Sequence, residues 1–128
     1  MIGRMLWIAV ALAGCAKEPS CTAVGGAPML EYQLFFGRSS VSDQQWADFL
    51  ARVVTANLPG GFTELDTYGQ WMNPTTHRII HESGKVIVVI MPDTPASRTS
   101  VEAVKDDYLK RFHQQSVGNI ILPVCGAF

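Results

Sequence analysis

The chain has 128 residues, 48% hydrophobic and 16% charged, with ten basic against eleven acidic side chains and a formal net charge of −1. That length holds one domain, the near-even charge argues against a nucleic-acid binder, which needs a basic face, and so few charges among so many apolar residues argue against disorder. The mean hydropathy of +0.15 is high for a small soluble domain, so the placement of the apolar residues comes first.

Much of the excess lies at the start. Arg4 is the only charge before Lys17, and Met5 to Ala13 form an uninterrupted apolar run. A positive end, a short apolar stretch and then small residues are the layout of an export signal, and the run is far below the roughly 20 residues that cross a bilayer. Leu12-Ala13-Gly14-Cys15 resembles the lipobox of bacterial lipoproteins. The resemblance implies that residues 1–14 are a removable signal and that the Cys15 thiol carries lipid, which makes the membrane a partner. A plain export signal with an incidental cysteine, or a buried first strand, is the other reading. Several acyl chains anchor a domain stably where one is marginal. Ala16 rather than Asp follows Cys15, so the expected location is the cell envelope, on the periplasmic side of the outer membrane rather than at the inner membrane.

Residues 15–30 carry small residues and two prolines without a clear period, which suits a tether ahead of a single domain over 31–128. Cys21 and Cys125 would then lie in an oxidising compartment, where two remaining thiols pair, although two separate free thiols fit the same count.

Tyr32 to Phe36 alternates as a first strand, with Tyr32, Leu34 and Phe36 on one face. Ser42-Asp43-Gln44-Gln45 has capping-box spacing, flanked by Val41 and Trp46 at staple positions. Trp46, Phe49, Leu50, Val53 and Leu58 form one helical stripe, Asp48 and Arg52 take the wet side, and Pro59-Gly60-Gly61 ends the helix. Phe62 to Met72 reads as a strand with a bulge or bend near Gly69, and Asn73 to Thr76 as a turn. His77 to Glu82 and Val86 to Met91 are strand-like, with Ser83-Gly84 either a bulge in one long strand or a tight turn between two. The continuous β-branched residues of the second run imply a central strand covered on both faces. Thr94-Pro95 opens a second helix with Val101, Val104, Tyr108 and Phe112 on one face. Asn119 to Phe128 returns to strand. The order β-α-β-β-α-β predicts an α+β, ferredoxin-like sandwich with two helices on one face of an antiparallel sheet. The other face then needs a partner, a ligand or polar residues.

Several short pieces together resemble domain-of-unknown-function family 3574: Gln33-Leu-Phe-Phe-Gly-Arg-Ser39, Val41-Ser-Asp with Trp46 and Phe49, Pro59 with Gly61-Phe-Thr63, Tyr68-Gly-Gln-Trp71, Glu82 with Lys85-Val, and Pro123-Val-Cys125 with Phe128. The resemblance covers roughly residues 20–128. It implies a short secreted or lipid-anchored bacterial protein with a small α+β fold, and it brings no activity or catalytic residues with it.

No cofactor or metal is expected. Histidines four apart chelate from one face of a helix, but on a strand His77 and His81 would stand about 13 Å apart, too far for one ion. His113, at the end of the second helix, suits the dipole there. Neither a Gly-x-Ser-x-Gly elbow nor a phosphate-cradling glycine loop is present, and Glu64 and Asp66 read as solvated carboxylates. The more informative set is Arg38, Tyr68, Gln70, Trp71, Arg78, His81 and Glu82. These residues form either a structural ion pair, Glu82 with an arginine, beside core aromatics, or a polar patch lining a pocket on the open sheet face. Two functions follow: a lipid-anchored binding or interaction domain without catalysis, or a cofactor-free small-molecule enzyme or ligand binder of the dimeric α+β barrel type. In sandwiches of this topology two open faces can meet, so a homodimer through that face is the expected partner.

Overall fold

The structure is a computed structural model and describes residues 20–128; the expected signal, Cys15 and the start of the expected tether lie outside them. Four strands, β1 (Ala27–Gly37), β2 (Thr63–Met72), β3 (Ile79–Met91) and β4 (Gly118–Gly126), form one sheet in the order β2-β3-β1-β4. Each neighbouring pair is antiparallel. Helix α1 opens as Asp43–Phe49, passes through a π-helical turn Leu50–Val54 and finishes as Thr55–Asn57; helix α2 spans Pro95–Phe112. This is the expected split-βαβ sandwich.

Its boundaries differ from expectation in places with a common cause, the partner strand. β1 begins at Ala27 because Ala27 to Glu31 pair with Gly126 to Leu122 of β4. A 3₁₀ turn at Cys21–Val24 precedes it, and Cys21 is bridged to Cys125, so residues 21–30, expected as tether, are part of the folded unit. β3 is a single strand through Ser83-Gly84, with neither bulge nor turn, and Gly69 likewise pairs in register with Glu82. Gly84 allows this: a Cβ there would lie 2.9 Å from the Phe36 carbonyl oxygen and 2.8 Å from Thr67 Oγ1. In the β2–β3 hairpin the Asn73 side chain accepts from the Thr75 and Thr76 N–H groups, and His77 takes a left-handed φ of 54°. His77 and Arg78 thus belong to the hairpin loop, not to a strand beginning at His77.

α1 starts with the expected capping box: the Ser42 hydroxyl accepts from Gln45 N–H and the Gln45 side chain accepts from Ser42 N–H. The π turn widens the buried stripe by one position, so Trp46, Phe49, Val53, Val54 and Leu58 are buried while Leu50 is only partly so. Thr94 caps α2 with Pro95 in its first turn, and His113 closes it in the left-handed conformation. Tyr32, Leu34 and Phe36 of β1 and Ile87 and Val89 of β3 face both helices, packing on Val101, Val104 and Tyr108 of α2.

Phe36 is the hub of an aromatic group, edge-on to Trp46, Phe49 and Tyr108 at 5.3, 6.0 and 4.8 Å between centroids. Tyr108 is completely buried and its hydroxyl donates to the Gly37 carbonyl at 2.6 Å. Burial, with the Glu82 charge nearby acting in the same sense and Arg38 opposing, pushes this phenol from 10.0 up to about 12. The folded pKa is raised, so the stability Tyr108 confers is intact below pH 10 and lost as pH rises towards 12. Alkaline denaturation followed by circular dichroism is expected to lose this component of the pH dependence in Tyr108→Phe. An unchanged alkaline limb would count against the assignment.

Candidate functional site on the open face of the sheet

Side chains alternate across a strand, so register assigns each residue a face. The helix-covered face takes the even positions of β1 and β2 and the odd positions of β3 and β4. The opposite face carries Met29, Glu31, Gln33 and Phe35 of β1, Leu65, Thr67, Gly69 and Trp71 of β2, Glu82, Val86, Val88 and Ile90 of β3, and Ile120, Leu122 and Val124 of β4. Nothing in the described residues covers it. Phe35 is 40% exposed, Leu65 50%, Trp71 48%, Ile120 45% and Leu122 42%. Val86 is buried between Phe35 and Leu65, which pair with it from the two flanking strands. The expectation that β3 is covered on both faces therefore holds on the helix side only within one chain.

The pleat divides the seven residues singled out in the sequence. Trp71 and Glu82 lie on the open face. Tyr68, Gln70 and His81 point the other way, at the far end of the hairpin where no helix covers the sheet, and Tyr68 is 87% exposed. Trp71 and Tyr68 are thus not core aromatics. Arg78 is in the hairpin loop, its carbonyl accepting from Asn73 N–H. Arg38 is fastened at the start of α1: it donates to Asp43 Oδ1 at 2.6 Å and to the Val41 carbonyl at 3.2 Å, and its guanidinium sits 5.8 Å from the Trp46 ring centroid. The hydrogen bond from Arg38 holds the Asp43 carboxyl below its ordinary value. The anticipated Glu82–arginine pair does not form, because the nearby arginine is committed to the helix start.

Glu64 and Asp66 are more than solvated carboxylates. Both grip Lys85, at 2.5 and 2.6 Å, and Glu64 also accepts from Trp46 Nε1 at 2.7 Å. Hydrogen bonds to Asp66 and Glu64 raise the Lys85 pKa. This network lies on the helix side and ties β2 and β3 to α1.

Glu82 remains without an ion pair or hydrogen bond among the described residues. Its surroundings were missed in the sequence: Gly37, Gly69 and Gly84 occupy open-face positions around it, and Gly118 lies beyond them beside Phe35. Its carboxylate lies over Gly37, where a Cβ would come 2.5 Å from Oε1. Two hollows, of about 180 and 490 Å³, share Phe35, Gly37 and Glu82 in their walls; the larger is also lined by Trp71 and by the His113–Ser116 loop. Four glycines at scattered positions become one floor only when the register is known. Among the described residues no group of three or more His, Cys, Asp or Glu side chains is placed to hold a metal ion.

The architecture and site define a ferredoxin-like α+β sandwich with an apolar open sheet face and one unpaired carboxylate in a glycine-floored hollow. The chain belongs to the family described as Protein of unknown function (DUF3574), whose family profile matches residues 31–128. No curated protein matches it. Among solved structures it is similar to a phage SAM lyase in complex with S-methyl-5′-thioadenosine, with a TM-score of 0.57 and 17% identity, over 77% of this chain and 83% of that one. It also aligns with the B. subtilis GlnK–ATP complex at a TM-score of 0.48 and 9% identity, over 76% of this chain and 82% of that one. Likeness at 17% identity concerns the fold alone.

Proposed function

We propose that this protein is a lipid-anchored envelope domain that acts by binding, and that its open sheet face pairs with a second copy of the chain. The observation that carries the pairing is the apolar face itself: Phe35, Leu65, Trp71, Ile120 and Leu122 stand 40 to 50% exposed on one side of a single sheet. Exposed apolar surface of this continuity marks an interaction site. Four strands about 4.8 Å apart over some eight residues of about 3.3 Å rise give roughly 500 Å² in plan. Side-chain relief brings that towards the roughly 800 Å² each partner contributes to a standard interface. The β-branched run Val86–Ile90 supports the same occupant, since its composition suits cover on both faces and one chain supplies one. The anchor rests on Leu12-Ala13-Gly14-Cys15 and the apolar run before it.

Sedimentation of the lipid-free chain is expected to give a dimer at micromolar concentration. Leu65→Asp and Ile120→Asp, at exposed positions, are expected to give folded monomers with at least tenfold weaker association. A wild-type monomer throughout would overturn the pairing. Cys15→Ser should abolish membrane partitioning and lipid-dependent processing; persistence of both would overturn the anchor.

A further inference from the structure

We infer that the hollow around Glu82 is a binding site for a small soluble organic cation, an ammonium group carried on an apolar or aromatic body. The sign of the charge follows from what surrounds Glu82. The open face carries two carboxylates, Glu31 and Glu82, and no basic side chain. Glu31 is satisfied by Gln33, which donates to it at 2.6 Å. Arg38 is paired with Asp43, Lys85 with Glu64 and Asp66 on the other side of the sheet, and His113, which lines the same hollow, makes no salt bridge or hydrogen bond with Glu82. Glu82 is thus half-buried beside apolar side chains with no ion-pair partner among the described residues, an arrangement that a bound cation completes.

The body of the ligand follows from the walls. Phe35 and Trp71 line the same hollow as Glu82 and leave about half their surfaces exposed. Aromatic faces carry negative potential and attract cations. Gly37 and Gly118, which line the larger hollow, present no side chains there, and about 490 Å³ is free beside the carboxylate; Gly69 and Gly84 do the same for the smaller hollow of about 180 Å³. A hard metal ion needs several oxygen ligands, and one carboxylate does not supply them.

The site also has a direction. The Cys21–Cys125 bridge sits by Pro28, near the start of β1, and the hollow by Gly37 at its end. Nine residue steps at about 3.3 Å put the two roughly 30 Å apart. The anchor proposed at Cys15 would join the chain at the bridge end of the sheet, the end opposite the hollow.

This deepens the binding reading and rests on it for the open face as the working surface. Calorimetry on the full chain tests it, with benzylammonium as probe and benzyl alcohol and benzoate as neutral and anionic counterparts. Benzylammonium is expected to bind at least tenfold more tightly than either, and Glu82→Gln to weaken it at least tenfold with an unchanged near-ultraviolet circular dichroism spectrum. Trp71→Leu is expected to weaken it several-fold. Equal binding of benzyl alcohol, or undiminished binding by Glu82→Gln, would overturn the inference. So would binding confined to vesicles containing phosphatidylethanolamine, with none to the free amine. Sedimentation of the same samples reads pairing independently, so a monomer that still binds benzylammonium refutes the dimer and not the site.

Discussion

Replacing Cys21 and Cys125 together by serine is expected to lower the stability of the folded domain by about 4–5 kcal/mol. The bridge joins residues 104 apart, and closing a loop of that length removes unfolded-chain entropy worth roughly that amount. A small domain has about 5–15 kcal/mol in total, so the loss is a large share. Its structural consequence is local to one edge. β4 is an outer strand held to the sheet through β1 alone, and the bridge ties its last turn of register to the 3₁₀ turn ahead of β1. Urea unfolding with and without reductant measures the effect. A change below about 1 kcal/mol would mean that the unfolded chain is already constrained between these ends.

In the monomeric Leu65→Asp background, Phe36→Ala is expected to cost about 3–5 kcal/mol, and Phe35→Ala, its neighbour in the chain, less than about 1 kcal/mol. Phe36 is 1% exposed at the centre of the aromatic group formed by Trp46, Phe49 and Tyr108, so truncation leaves a cavity that rigid neighbours cannot fill. Phe35 is 40% exposed on the open face. The pair tests the assignment of faces directly, since the two residues have the same chemistry and differ only in the direction of the pleat. Comparable losses for both would mean that the open face is packed as tightly as the helix side, and the unfolding midpoints of the two variants decide it.

The readable parts of the fold were those in which the physics is local. Ser42 with Gln45, and Thr94 with Pro95, announce helix starts because capping uses groups three residues apart. Alternation exposed Tyr32, Leu34 and Phe36 as one face of a strand, and helical spacing exposed Val101, Val104 and Tyr108. What the pattern could not convey was pairing. Ala27 to Glu31 contain proline and small residues and look like tether, yet they are strand because β4 lies beside them. Ser83-Gly84 looks like an interruption, yet continuity is maintained because glycine fits where Phe36 and Thr67 approach closely.

The candidate site was legible in a similar proportion. Of the set read from the sequence, Trp71 and Glu82 share the open face, while Tyr68, Gln70 and His81 are adjacent in sequence and opposite in direction. An arginine partner for Glu82 is one reading of the sequence, and in the structure Arg38 pairs with Asp43 while Arg78 lies in the hairpin loop. The glycine floor went unseen because glycine carries no chemical signal of its own; its meaning here is the side chain it omits, at four positions brought together from four strands.

The sequence by itself determined the class of fold, the order of its elements, the caps of both helices, the family and the pair of cysteines available to bridge, because each depends on spacing within a short stretch or on composition. Only the tertiary structure decided which residues share a face, that Cys21 and Cys125 meet, and that, among the described residues, Glu82 stands without a counter-charge and the sheet leaves an apolar side open. Those facts depend on register between strands distant in the chain, and a shift of one residue would reverse every one of the faces.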